Sequence, residues 1–260
     1  MKIGLLDSGV GGLSVLREVR RILPGAELRY VGDSAWCPYG TKSPEVICAR
    51  VFEISDYLLS QGAGILVIAC NSATIHAVGA LRATYPLPVV GMEPAVKPAA
   101  ELTRSGVIGV LATEASIAGE KFHQLVSTHA SGVRVITRPC PRFVELVEAG
   151  QLTGPEVEGA VDEALAPLLE AGADVFVLGC THYPFLRPVI EARLPDTATV
   201  VDTGPAVARR VRSLLDPEPP SSPAGSILVE TTGDLALLER LLPRLLPGLD
   251  VGAGQRDIGG

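Results

Sequence analysis

Two cysteines close near-copies of one stretch of this chain. Residues 58–70 read LLSQGAGILVIAC, and residues 168–180 read LLEAGADVFVLGC. In each copy a helix end meets a Gly stop, an apolar run follows, and the run ends on a thiol, Cys70 or Cys180. A lone cysteine ending a core strand is most often a small buried hydrophobe. Two in equivalent places of a repeat, each followed by polar residues, point to chemistry instead. Cys70 is followed by Asn71, Ser72 and Thr74, and Cys180 by Thr181 and His182. Backbone N–H groups where a strand breaks toward a helix favour an anion, whether thiolate or substrate carboxylate. A thiol with a free pKa of ~8.5 needs a tuned partner to move a proton near neutral pH. His182 holds an imidazole near Cys180, and Asp7 offers a carboxylate that could serve Cys70. If the two halves face each other, the thiols flank one substrate.

Asp7 opens the stretch Asp7-Ser8-Gly9-Val10-Gly11-Gly12, whose glycines let the backbone turn tightly and approach a ligand. The register does not give G-x-G-x-x-G, and Asp7 would repel a phosphate, so the loop reads as a carboxylate and ammonium site. Cys37-Pro38-Tyr39-Gly40 offers backbone N–H groups and a phenol to a substrate, or packs as a surface turn. Glu148 is either a buried acid or a solvated helix carboxylate. Cys37 and Cys48 read as structural, Cys140 as a loop residue, and His76, His123 and His129 as ordinary polar positions on helices. A zinc site from Cys70, His76, Cys180 and His182 lacks Cys-x-x-Cys spacing, so no metal is expected. With no phosphate loop and no convincing lysine site for pyridoxal phosphate, no cofactor is expected either.

The elements that must hold these groups alternate apolar runs with helix-period segments, which predicts α/β architecture with mostly parallel sheets. The cysteine runs have the continuous apolar character of parallel strands buried on both faces, and ligands gather beyond the carboxyl ends of such strands. Residues 2–6, 28–31, 89–90, 107–112, 133–136, 199–201 and 226–230 read as further strands. Residues 13–22, 43–60, 75–83, 155–170 and 235–245 read as helices, with Ser43 as N-cap and Pro44 in the first turn. The Ile-Gly opening at residue 3 returns at residue 108. These repeats predict two lobes: residues 1–92 with 208–260 carrying Cys70, and residues 93–207 carrying Cys180. Residues 216–223 read as a Pro-rich turn and 252–260 as a loose terminus.

Bulk properties narrow the class. The chain has 260 residues, and 22 basic against 29 acidic side chains leave a formal charge of −7, a poor match for nucleic acid or anionic membrane. No apolar stretch approaches the ~20 residues needed to span a bilayer. No signal-peptide pattern opens the sequence, and five cysteines in no regular framework suit a reducing compartment. A cytoplasmic location is expected.

The motifs Asp7-Ser8-Gly9-Val10-Gly11-Gly12, Pro38-Tyr39-Gly40, Ala69-Cys70-Asn71 and Gly179-Cys180-Thr181-His182-Tyr183-Pro184 closely resemble those of the bacterial glutamate racemases. The resemblance spans nearly the whole chain in the expected order. Within the aspartate/glutamate racemase superfamily, the opening motif looks like the glutamate branch. One departure is Cys-Asn-Ser-Ala-Thr where the family usually has Cys-Asn-Thr-Ala; Ser72 keeps the hydroxyl.

The resemblance implies two pseudo-symmetric lobes with the active site between them, homodimers, and D-glutamate supply for peptidoglycan. It assigns Cys70 to the D-enantiomer and Cys180 to the L-enantiomer, with Asp7 and His182 assisting and Glu148 nearby. Ser8, Tyr39, Gly40, Asn71, Ser72 and Thr181, with Asp7 and His182, would hold the substrate. Racemisation needs a base on one face of Cα and an acid on the other, which two thiols supply. Alternatives are a racemase or decarboxylase of the superfamily acting on an aspartate, hydantoin or malonate type of substrate, or a non-catalytic binding module.

Overall fold

The computed structural model describes residues 1–215 and 224–259, so the turn expected over 216–223 lies outside the described residues. Its strands are β1 (Lys2–Asp7), β2 (Glu27–Gly32), β3 (Ile65–Ile68), β4 (Val89–Val90) and β5 (Val107–Ala112). They continue as β6 (Arg134–Pro139), β7 (Val175–Leu178), β8 (Thr199–Asp202), β9 (Ile227–Thr231) and β10 (Gly252–Gln255). The helices are α1 (Leu13–Ile22), α2 (Pro44–Ser60), α3 (Asn71–Thr84), α4 (Val96–Leu102), α5 (Glu114–Ala118) and α6 (Glu120–His129). After them come α7 (Pro141–Glu148), α8 (Pro155–Glu170), α9 (Arg187–Glu191), α10 (Gly204–Ser213) and α11 (Leu235–Leu245). No helix among the described residues is long and apolar enough to cross a membrane.

The chain forms two compact units, Met1–Met92 with the chain from Gly204 onward, and Glu93–Thr203. The first holds a parallel sheet ordered β10-β9-β2-β1-β3-β4, the second a parallel sheet ordered β6-β5-β7-β8. Four strands of the first sheet, β2-β1-β3-β4, thus repeat the connection order of the second. All of α10 belongs to the first unit and packs on α1, so the division falls at Gly204, ahead of residue 208.

The repeated sequence builds the same local structure twice. Helices α2 and α8 stop at Gly62 and Gly172, with φ of +86° and +80°. Behind each stop, the N–H of Ala63 donates to the Leu58 carbonyl at 3.1 Å and that of Ala173 to Leu168 at 3.0 Å. That closure needs a left-handed residue, which glycine adopts at no steric cost. It turns the chain directly into β3 and β7, all of whose side chains are buried. Burying each such aliphatic side chain contributes roughly 1.5–3 kcal/mol. The Ile-Gly repeat has its own reason. A Cβ on Gly4 would lie 3.0 Å from Ala63 Cβ and 3.2 Å from Leu58 Cβ, and one on Gly109 would lie 2.8 Å from Leu168 Cδ1. Each glycine lets the end of its helix settle on the central strand.

Two expectations are corrected. The loose terminus expected at 252–260 contains β10, which pairs with β9 and is tied down beyond it by the Arg256 N–H on the Thr231 carbonyl at 2.9 Å. Its Gly-Ala-Gly-Gln sequence has no apolar alternation, because backbone pairing holds it. The helix expected over 75–83 begins at Asn71, since Cys70 itself caps it.

Candidate functional site

In the first unit the site residues stand at the carboxyl ends of β1, β2 and β3, aligned by strand register. Beyond the last paired residues, the Asp33 N–H donates to the Asp7 carbonyl at 2.9 Å and the Ala69 N–H to the Leu6 carbonyl at 2.8 Å. Asp7, Asp33 and Cys70 therefore occupy neighbouring strand ends. Asp7 is fully buried, and its carboxylate accepts from the Ser8 N–H at 2.7 Å and the Gly12 N–H at 2.5 Å. It so fixes the loop that starts α1. None of Gly9, Gly11 and Gly12 has a positive φ. Gly12 is needed for room: a Cβ there would lie 2.8 Å from Asp7 Cβ.

Cys70 is buried at the N-cap of α3, where its Sγ accepts from the Ala73 N–H at 3.5 Å and lies 4.0 Å from Ser8 Oγ. A helix N-terminus favours the thiolate over the thiol. Asn71, Ser72 and Thr74 are buried beside it. Both polar atoms of the Asn71 amide are buried without a protein hydrogen-bond partner. Leaving such groups unsatisfied costs ~1–3 kcal/mol each, and a carboxylate or ammonium ligand would offset it.

Tyr39, expected to offer its phenol, turns it inward instead. The residue is buried and its hydroxyl donates to Asp33 Oδ2 at 2.6 Å. Burial, the Asp33 carboxylate and the charge of a Cys70 thiolate all push this phenol far above its usual range. It is a fixed neutral donor, so what the Tyr39-Gly40 turn can offer a carboxylate is backbone N–H. Sequence reasoning missed Asp33 as the acceptor; the signal was its place after β2, level with Asp7. Cys48 donates to the His76 carbonyl at 3.3 Å, a structural contact.

The second unit uses the same strand ends with different residues. The Cys140 N–H donates to the Ala112 carbonyl at 3.0 Å, and the Gly179 N–H to the Leu111 carbonyl at 2.7 Å. Ala112, Cys140 and Cys180 thus take the places of Asp7, Asp33 and Cys70. With alanine where Asp7 would be, the partner of Cys180 comes from elsewhere. His182 Nδ1 lies 3.6 Å from Cys180 Sγ, and His182 Nε2 lies 2.6 Å from Glu148 Oε1. With Glu148 ionised and accepting the Nε2 proton, Nδ1 is the nitrogen that can accept from the thiol. Glu148, read from sequence as either buried or solvated, is half-buried at the end of α7.

The Tyr183 hydroxyl donates to the Cys140 carbonyl at 2.9 Å, and its ring meets Phe143 edge-on at 5.1 Å, locking α7 to the turn that carries His182. Thr181 is buried in that turn. No long helix follows Cys180: a 3-10 turn, Tyr183–Phe185, comes first, so the anion-favouring helix start found at Cys70 is not repeated. Cys140 is buried ahead of α7, and burial pushes its thiol up to about 12, outside useful proton transfer. Thr113, at the Ser8 level of β5, pairs with the buried Ser116 hydroxyl at 2.8 Å; sequence reading did not single these out. His76 lies on α3 and His123 and His129 on α6.

The family model described as Asp/Glu/Hydantoin racemase matches residues 3–211. The chain belongs to this racemase family. Among its relatives, the glutamate racemase of Ectopseudomonas mendocina is 50% identical over 94% of both chains. The solved Escherichia coli glutamate racemase, in complex with L-glutamate and the activator UDP-MurNAc-Ala, superposes with a TM-score of 0.89. It is 34% identical and covers 100% of this chain and 99% of that one. The Francisella tularensis glutamate racemase with D-glutamate is 26% identical, with a TM-score of 0.82 over 97% of this chain and 95% of that one. The superposition covers the whole of this chain, so the solved Escherichia coli enzyme shares its fold of parallel sheets flanked by helices.

Proposed function

We propose that this chain is a cofactor-independent glutamate racemase working by a two-thiol mechanism. The observation that carries the reading is that each unit ends a fully buried strand on a buried thiol with its own polar partners. The relatives named for that activity, matched over nearly the whole chain, support glutamate as the substrate. From L-glutamate, the Cys180 thiolate takes the Cα proton while Cys70 donates one to the opposite face. From D-glutamate the roles reverse. The reading requires the thiols to reach opposite faces of one Cα.

His182, held by Glu148, accepts the Cys180 proton between turnovers or pairs with its thiolate. Asp7 and Ser8 serve Cys70. The Asn71 amide, Ser72, Thr181 and the backbone of Tyr39 and Gly40 hold the two carboxylates and the amine. The carbanion is stabilised by a preorganised, water-poor site. Supply of D-glutamate for peptidoglycan, a cytoplasmic location and a homodimer belong to the same proposal.

The test is turnover of each enantiomer in deuterated water after exhaustive EDTA treatment and without pyridoxal phosphate. Interconversion with one solvent deuteron at Cα is expected. Activity lost on chelation and restored by zinc would replace the two-thiol reading with a metal site, and faster turnover of aspartate or a hydantoin would move the substrate.

A further inference from the structure

Arg50 lies outside every role assigned above, yet it is buried at the first unit's rim and engages several groups there. From α2 its Nε donates to Asp33 Oδ2 at 2.9 Å and its Nη2 to Asp33 Oδ1 at 2.8 Å, a two-pronged grip on one carboxylate. Its Nη1 donates to Glu53 Oε2 and to the backbone carbonyl of Ile258, both at 2.6 Å. Its guanidinium stands 5.2 Å from the centre of the Trp36 ring. Asp33, fully buried, accepts from the Tyr39 hydroxyl at 2.6 Å and the Thr232 hydroxyl at 2.8 Å as well. Arg50 thus grips the rim loop of residues 33–41 at its start, through Trp36 in its middle, and through Asp33 at Tyr39.

We propose that Arg50 is the positioning residue for the Tyr39-Gly40 turn, and that the Ile258 carbonyl, carried back by the segment after β10, sets Arg50 in place. The inference rests on the reading that this turn binds a substrate carboxylate. Its physical basis is planarity. A guanidinium fixes both the position and the plane of the carboxylate it grips, and the lone pair of Asp33 Oδ2 must point at the Tyr39 hydroxyl to hold the turn. An ammonium at residue 50 supplies charge without fixing that plane. The carbonyl of Ile258 and the carboxylate of Glu53 take the remaining prong, so the guanidinium has one orientation. Arg256 on the same segment is itself anchored to the buried Glu230 at 2.5 Å, which keeps the carbonyl within reach.

Trp36 is the single tryptophan of the chain, so its emission reports this loop without any assay of turnover. The experiment compares Arg50→Gln, Arg50→Lys and a chain lacking residues 257–260 with the intact protein. Acrylamide quenching of Trp36 should rise in all three. For Arg50→Gln, KM for both glutamate enantiomers should rise about tenfold, roughly the worth of one charge-assisted hydrogen bond. Its kcat should stay within about threefold, because uniform binding is what is lost. The shortened chain should shift KM the same way by less, and Arg50→Lys should not rescue the KM of Arg50→Gln. Should Arg50→Gln fail to fold, the shortened chain and Arg50→Lys carry the same expectations. Unchanged quenching, or a loss of kcat with KM unaltered, overturns the proposal. Failure of the glutamate reading shows separately, as an intact protein that racemises neither enantiomer; quenching then decides for or against the Arg50 clamp alone.

Discussion

At Cys180, Sγ lies 3.6 Å from His182 Nδ1, and His182 Nε2 lies 2.6 Å from Glu148 Oε1. At Cys70 the thiol has a helix N-terminus and the Ser8 hydroxyl instead. Two thiols with different surroundings should respond differently to substitution. Cys70→Ala and Cys180→Ala should each abolish racemisation, since one face of Cα then lacks its acid or base. Each should still eliminate HCl from one enantiomer of a chlorinated glutamate analogue, which needs proton removal on one face only. Near wild-type racemisation by either variant would sink the two-base reading. His182→Asn should lower kcat by ~10²–10⁴, the usual span for one general acid–base group. Glu148→Gln should do less but in the same sense, because it leaves the imidazole and removes only its orienting acceptor. The diagnostic is unequal loss of kcat for D- and L-glutamate, with kcat/KM in the two directions still tied by the equilibrium constant. Equal small losses in both would reduce the pair to substrate contacts.

Glycines set how the elements meet, and their neighbours predict how much each tolerates. Gly4 faces the Cβ atoms of Ala63 and Leu58, which cannot swing away, whereas Gly109 faces the terminal Cδ1 of Leu168. Overpacking a core costs ~1–3 kcal/mol, while replacing a strand glycine returns ~0.5–1 kcal/mol of chain entropy. Gly4→Ala should therefore be clearly destabilising in urea and Gly109→Ala nearly neutral; the reverse order would break the packing argument.

Asp174, at the entry to β7, ties down the loop before β5 through the Thr103 hydroxyl and the N–H groups of Arg104 and Ser105. Burial raises its pKa, but those bonds together outweigh it and hold the group at about 2, against 3.8 unperturbed. A depressed carboxylate stabilises the fold above its unfolded pKa and loses that contribution as pH falls through its folded one. Asp174→Asn should be less stable than the parent at neutral pH, with the gap closing between about pH 4 and pH 2 in acid unfolding curves.

Much of this scale was legible in the sequence. The repeats at Cys70 and Cys180 spelled out helix, stop, buried strand and thiol. What was not legible rests on partners remote in sequence. Glu148 gains meaning only through His182, Asp33 only through Tyr39 and Arg50, and β10 only by pairing with β9.

The two units differ in how the chain builds them. The second is one continuous stretch, Glu93–Thr203, while the first needs residues from both sides of it. β9 and β10 extend the first sheet beyond β2, and β9 covers that strand edge through pairs from Leu28 to Gly32. Removing residues 226–260 should leave the β2 edge with unpaired backbone groups, a template for pairing with other chains. Such a protein should scatter light and elute in the void volume; a monomeric, soluble product would show that the edge is protected in another way.

That interruption also orders events during synthesis. The second unit's residues have all been made before β9 and β10 exist, and domains made as continuous stretches generally fold as they emerge. The growing chain therefore carries both thiols while the edge of β2 is bare and Arg50 lacks the Ile258 carbonyl. For this protein the last strands made are the ones that finish the unit begun first, which stays incomplete until β9 and β10 are available to pair.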